Sequence, residues 1–312
     1  MSKNAVRNAG ILDGSMNLLL RNKRRIMMAT IIDRDILLAC TRIHSMGKGG
    51  TAGGSGTVIY SAKNDDGSYS TYLLSNEHVV DNNIDVKERW DALLRRTIKD
   101  QFLGTVDVHF FEYKWEHRVV GAASKQADIM AFDKDEDMAL LKIRSEMPVP
   151  AVVQMYPKGE ESKLRIGMPC VAVGAALGEA PITSYGRLSQ FGREIDNREF
   201  WLQSAPIIYG NSGGSVFLED IGEYIGIPSR IAVTYGGDAI THLSYIIPIT
   251  RIYKFLESQM FRFVYDKSFT EEGERKAREE KLRADRMRMA SREIEQGQKP
   301  SEQDTDVAVP NS

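Results

Sequence analysis

Apolar residues along this chain fall into short runs of strand length, separated by Gly, Asp, Asn and Pro. The first clear run is Ile36-Leu37-Leu38-Ala39-Cys40. Similar runs follow at 56–60, 72–74, 105–111, 117–120, 138–143, 170–173, 200–202, 215–218, 225–227, 231–233 and 245–247. Runs of this length bounded by turn residues predict β-strands. Long helical periodicity is nearly absent between them, which predicts an all-β sandwich or barrel rather than a parallel sheet with crossover helices.

Some segments depart from this pattern. Within 83–103, the stretch Asp85–Phe102 sets Trp90, Leu93, Leu94, Ile98 and Phe102 at roughly helical spacing, predicting an inserted surface helix. Residues Ile249–Phe263 predict a helix whose Ile252, Phe255, Leu256, Met260 and Phe263 dock on the β-structure. Residues Glu271–Glu295 are charged throughout, and pairs such as Glu274 with Arg278 and Glu279 with Arg283 predict a helix held by opposite charges. The stretch from Gln296 reads as disordered, and residues 1–34 as an N-terminal extension with a short amphipathic helix near Met16–Met28. The expected organisation is a domain over 35–265 followed by a charged tail over 266–312.

Composition narrows the possible functions. The 312 residues are 42% hydrophobic, enough for a real core, and 41 Lys and Arg against 43 Asp and Glu leave a net charge of -2. That balance gives no sign of a nucleic-acid partner; the basic run Arg21–Arg25 reads as solvated surface. Cys40 and Cys170 each lie in an apolar stretch and are expected as buried free thiols rather than a disulfide. Charges interrupt the first 35 residues, so no membrane span is expected and the cytoplasm is the default location. No metal or cofactor is called for.

Three segments carry candidate chemistry. Tyr72–Val80 runs along an apolar strand to a turn that presents His78, with Val79 and Val80 anchoring the return; His44, His109, His117 and His242 lack that setting. Alone, His78 is as readily structural as catalytic. Asp137 opens the apolar run Met138–Ile143, where an ionised carboxylate needs a partner to offset desolvation, and an imidazole N–H can be that partner. Asp133 and Asp135 are weaker candidates, lying farther from the run. Glu77, directly before the histidine, is expected to be solvated. Finally, Gly210-Asn211-Ser212-Gly213-Gly214 surrounds a serine with glycines ahead of a strand. Such a turn can expose the hydroxyl and aim the Gly210 and Ser212 N–H groups at one point, as an oxyanion hole requires; the plain alternative is a β-turn between core strands. A serine hydroxyl needs a base to become a nucleophile, and an imidazole works best when a carboxylate fixes its tautomer.

Together these segments resemble the chymotrypsin-fold serine peptidases, most closely the HtrA/Deg branch. Gly53–Ile59 is similar to the glycine-serine-glycine strand before the family's histidine, and Ser75-Asn76-Glu77-His78-Val79-Val80 to its histidine block. Asp137–Lys142 is similar to its aspartate strand, and Gly210–Gly214 is identical to its nucleophile loop. The resemblance covers about residues 36 to 258, in histidine, aspartate, serine order. It implies two six-stranded antiparallel barrels with the triad His78, Asp137 and Ser212 between them. Ser215 stands where the family often has proline; residues 266–312 lack the apolar content of a PDZ domain, so none is expected in that segment, and activation through an Ile-Val-Gly-Gly start of the zymogen type is not expected.

The resemblance also implies that Pro206, six residues before the serine, lines a specificity pocket together with Ile207 and Ile227, and that Ile225–Ile227 pairs with substrate backbone. With no carboxylate there, the expectation is a serine endopeptidase of apolar primary specificity acting on protein or peptide substrates through an acyl-enzyme. Two alternatives stand beside it: a catalytically silent module of the same fold serving interaction or assembly, and an esterase using the same residues. The charged C-terminal helix is the expected contact for a partner or for self-association, although its few apolar positions do not suit a conventional coiled coil.

Overall fold

The computed structural model describes residues 35–47, 50–91, 96–114 and 118–297. The expected helix near Met16–Met28 and the tail beyond residue 297 lie outside these residues. The Ile36 run opens as one helical turn, α1 (35–38), before the first strand.

The first half of the chain supplies β1 (Cys40–Gly47), β2 (Gly50–Lys63), β3 (Tyr69–Ser75), β4 (Ile84–Asp91), β5 (Arg96–Leu103), β6 (Thr105–Lys114), β7 (Arg118–Asp133) and β8 (Met138–Ser145). Of these, β1-β2-β3-β8-β7-β6 closes into an antiparallel barrel. Its inward positions, including Ile43, Val58, Leu73, Val108, Ile129, Leu141 and Ile143, form one core cluster, which Val79 and Val80 join from the short helix α2 (Glu77–Val80). Period-two alternation, as in β6 with Val106, Val108 and Phe110 buried, lets each strand give one face to this core.

The second half contributes β9 (Gln154–Met155), β10 (Pro169–Gly174), β11 (Ile182–Ile195), β12 (Arg198–Gln203), β13 (Ser215–Leu218), β14 (Glu223–Val233) and β15 (Ala239–Pro248). They form a seven-stranded sheet, β13-β10-β11-β12-β15-β14-β9, in which β13 and β14 also pair directly. Only β9, joined to β14, runs parallel to its neighbour. The expectation of two six-stranded barrels therefore meets one closed six-stranded barrel and one sheet that turns back through the β13–β14 pairing, with a short extra strand.

The segment 83–103 is not a helix. It folds as a separate two-stranded sheet of β4 and β5, paired from Ile84 with Leu103 to Asp91 with Arg96. Ile84, Val86 and Trp90 repeat at even intervals, so the same residues fit a strand as well as a helix. No core stripe decides between them, because Val86, Trp90, Phe102 and Leu103 are all exposed. The base of the hairpin does decide. Asn83 accepts the Gly104 N–H at 2.8 Å, and its side-chain amide donates to Met46 O at 3.1 Å and Thr105 O at 2.8 Å, fixing the two ends side by side.

After β15 comes α3 (Ile249–Ser258), which buries Ile249, Ile252, Phe255 and Leu256 as expected but ends before Phe263. Met260 takes a left-handed φ of 57°. Phe261 N donates to Leu256 O at 2.7 Å and Met260 N to Glu257 O at 3.1 Å, the bonding of a Schellman cap. The reversed chain packs Phe261 and Phe263 against Tyr72, with Phe263 also meeting Tyr60.

The last helix, α4 (Glu271–Gly297), starts at Thr270, whose hydroxyl accepts the Gly273 N–H at 3.1 Å. Its first turn is part of the folded body. Glu271 accepts from the Tyr72 hydroxyl at 2.7 Å and from Lys142 Nζ at 2.6 Å. Glu274, only 3% exposed, takes the Arg262 guanidinium at 2.6 Å rather than the Arg278 expected from spacing, and Arg278 instead lies 4.0 Å from the Phe261 ring centroid. Intrahelical pairs of the expected kind do occur, between Glu272 and Lys276 and between Arg275 and Glu279. Leu282 and Met287 stand exposed farther along.

Candidate active site

Strand β3 is buried up to Ser75, and the chain then turns through Asn76 into α2. Val79 and Val80, 1% and 0% exposed, tie this turn into the barrel, which leaves His78 facing outward with 47% of its side chain exposed. Its Nδ1 lies 2.8 Å from Asp137 Oδ1. A carboxylate can only accept, so Nδ1 carries the proton and Nε2 is left as the basic nitrogen.

Asp137 adopts a left-handed backbone (φ 54°) just before β8, a conformation that Asp tolerates better than most residues. Its carboxylate is surrounded by donors. Besides His78 Nδ1, Oδ1 receives the His78 backbone N–H at 3.2 Å, while Oδ2 receives Ser229 Oγ at 2.8 Å and Asn76 Nδ2 at 3.2 Å. Burial acts to raise the Asp137 pKa, but the bonds and charge of His78 and the Ser229 bond outweigh it and hold the carboxyl below its ordinary value. For His78 burial acts downward, and the bond and charge of Asp137, helped by Asp81 and Glu77, raise it above the ordinary histidine value.

Glu77, expected from sequence to be solvated, is instead buried at 6% exposed. A one-turn helix whose next three residues include two core valines has only one outward position, and His78 takes it. Burial raises the Glu77 pKa.

The Ser212 loop is shaped by backbone. Gly210 and Gly213 have φ of 95° and 82°. A Cβ on Gly213 would lie 2.2 Å from Ser55 O and 2.4 Å from Ser75 Oγ; one on Gly210 would lie 2.4 Å from Ala175 O. Ser55, from β2 of the first barrel, holds the loop across the divide: its N–H donates to Ser212 O at 2.7 Å and its hydroxyl to Gly210 O at 2.7 Å. Gly54 separates this loop from the histidine helix by the thickness of one residue, since a Cβ there would be 2.6 Å from Val79 Cγ2 and 2.9 Å from Ser212 O.

Within 210–214, the N–H groups of Asn211, Gly213 and Gly214 donate to Ile208, Pro228 and Asn211 carbonyls. Those of Gly210 and Ser212 reach no acceptor among the described residues. Tyr209 O accepts from Leu177 N at 2.7 Å, so the trans peptide turns the Gly210 N–H the opposite way.

Residues 54–227, more than half of the chain, match the family model described as a trypsin-like peptidase domain. The chain belongs to the trypsin-like peptidase family. Its relatives include Protease Do-like 5, chloroplastic, of Arabidopsis thaliana, 31% identical over 135 residues that make up 41% of this chain and 41% of the relative. Periplasmic serine endoprotease DegP of Salmonella typhimurium is 28% identical over 229 residues, 70% of this chain and 39% of the relative. The chain thus spans well under half the length of either. Among solved structures, the HtrA-type protease AlgW with tripeptide superposes with a TM-score of 0.53 at 21% identity, covering 74% of this chain and 63% of that one. A serine endoprotease from Yersinia pestis gives 0.50 at 21% identity, with 74% and 65% covered. These likenesses place the trypsin-like peptidase fold. The relatives are named for the periplasm and the chloroplast, which lends no support to the cytoplasmic expectation; no described helix is long and apolar enough to cross a membrane.

Of the residues expected at this trypsin-like site, His78 and Asp137 are in direct contact and the Ser212 loop is bonded to the same barrel. The expected specificity residues are split. Pro206 is exposed, whereas Ile207 and Ile227 are 4% and 0% exposed within a second core cluster, formed with Val171, Val216 and Ile247 among others, so their side chains present no surface to a ligand. Ile227 is also paired with Ile247 across β14 and β15. Sequence reasoning missed Ser55, Asn76 as an Asp137 ligand, and Ser229. The first two sat inside recognised blocks; Ser229, 92 positions from its partner, carried no local signal.

Proposed function

We propose that this chain is a serine endopeptidase that cleaves peptide bonds through an acyl-enzyme on Ser212. The observation that carries the reading is that the barrel bearing the His78–Asp137 pair also bonds the Ser212 loop through Ser55, next to two backbone N–H groups that reach no acceptor among the described residues. With Nδ1 held by Asp137, His78 Nε2 takes the Ser212 proton as Oγ attacks the substrate carbonyl, then returns it to the leaving amine. The oxyanion accepts from the Gly210 and Ser212 N–H groups, each such donor contributing about 3 kcal/mol. Water repeats the sequence on the acyl-enzyme with the same base.

Primary specificity is apolar in this reading. Pro206 brings no charge, and the half-buried Ile208 and Ile231 are the accessible apolar neighbours of the nucleophile loop and of Ser229. The relatives named as endoproteases favour peptide over ester substrates. A fluorophosphonate probe tests the proposal: wild type is labelled at Ser212, and Ser212→Ala is not. A folded wild type that stays unlabelled from neutral to mildly alkaline pH defeats it. Profiling with a peptide library then checks the apolar preference.

A further inference from the structure

The Asp137 turn is held from the far side by a residue of the other half. Arg251, on α3, is 6% exposed, and its guanidinium lies 4.9 Å from the centroid of the buried Phe200 ring. Nε donates to Glu136 Oε2 at 2.7 Å, Nη2 to the Glu136 backbone O at 3.1 Å, and Nη1 to Glu199 O at 3.0 Å. The planar guanidinium therefore ties the turn to β12 as well as to its own helix.

The bond to Glu136 O has a specific effect. That carbonyl belongs to the peptide joining Glu136 to Asp137, so fixing it sets the plane from which Asp137 φ is measured. The following peptide is fixed too, because Asn76 Nδ2 donates to Asp137 O at 2.8 Å. Glu136 N further donates to Asp133 Oδ1 at 2.8 Å and closes the turn. A left-handed conformation at a non-glycine residue costs about 1 kcal/mol or more and persists only where its surroundings impose it. Here both flanking planes are clamped, one from each half of the molecule.

We infer that Arg251 is a positioning residue for Asp137: it fixes the Glu136–Asp137 peptide so that the carboxylate meets His78 Nδ1. The inference deepens the peptidase reading and rests on it for its effect on rate, but not for its effect on His78. Arg198 serves as the contrast. It reaches only carboxylates of the same turn, Asp135 at 3.2 Å and Glu136 at 4.0 Å, and no backbone carbonyl there.

Arg251→Met keeps the stem and removes every donor. In the full chain, NMR titration of labelled histidine, with His78→Gln to assign the signal, should show the His78 midpoint moving down toward the ordinary histidine value. Fluorophosphonate labelling of Ser212, corrected for folded protein, should slow by about 10- to 100-fold. Arg251→Lys, with one ammonium unable to span Glu136 and Glu199 together, should fall between Arg251→Met and wild type. Arg198→Met should stay within about twofold of wild type. An Arg251→Met or Arg251→Lys protein with the wild-type His78 midpoint and labelling rate, whatever its melting temperature, overturns the inference. If wild type is not labelled at all, the peptidase reading fails, while the His78 midpoint still decides the role of Arg251.

Discussion

On the first barrel the site is fixed by side chains: Asp137 takes bonds from His78, from Asn76 and, across the divide, from Ser229, and His78 is seated by the valines that follow it. In the second half the Ser212 loop is held by backbone, with two left-handed glycines and carbonyls bonded to Ser55. The difference suits the chemistry proposed for each half. A base must keep its tautomer and its pKa, which charged and hydrogen-bonding side chains set. An oxyanion site must keep N–H groups aimed at one point, which backbone shape sets and any Cβ would disturb.

This contrast can be broken from either side. The largest effect should come from Ser212→Ala, which removes the proposed nucleophile and should lower kcat by on the order of 10⁶-fold with the fold intact; residual turnover against wild type at equal folded concentration measures it. Asp137→Asn should cost on the order of 10⁴-fold, because the amide can no longer hold His78 in the required tautomer. Gly210→Ala should slow kcat by about 10²- to 10³-fold by moving one proposed oxyanion donor, yet leave the His78 titration midpoint where it is in wild type. Ser229→Ala should do the reverse on a smaller scale: about tenfold in rate, with the His78 midpoint lowered, since the remaining donors hold Asp137 less firmly. If Gly210→Ala shifts the midpoint and Ser229→Ala does not, the division between the halves is wrong.

The smallest effect is one of pH. On the proposed mechanism, the raised His78 pKa predicts that kcat/KM falls with acid already from above the ordinary histidine value of about 6.5, because protonated imidazole cannot accept the serine proton. The His78 share of stability runs the other way, being present at low pH and lost as pH rises through its folded value. The Asp137 share is present above the unfolded carboxylate value and lost only as pH falls through the lowered folded one. Rate and melting profiles on one pH series separate the two.

Much of this was legible in sequence because the site lies on elements whose local chemistry is distinctive. A strand ending at His78, an aspartate at the head of a core strand and glycines around Ser212 each mark themselves. What could not be read depended on contacts made elsewhere. Glu77 is buried because His78 occupies the only outward position of a single helical turn. The 83–103 segment had apolar residues compatible with two periods, and its hairpin is settled by Asn83 bonds to β1 and β6 rather than by a core face. Ile207 and Ile227 looked like pocket walls by position, but side chains in the second core turn them inward. Ser229 and Arg251 reach the Asp137 turn across the divide between the halves, over separations that no local pattern spans.

The bonds of Glu271 and Glu274 give the C-terminal helix a fixed direction as well as a fixed start. With 27 residues at about 1.5 Å of rise each, α4 reaches about 40 Å from its anchored first turn. Its first turn is tied to the barrel that bears His78, so the direction in which the helix leaves the body is set at that barrel.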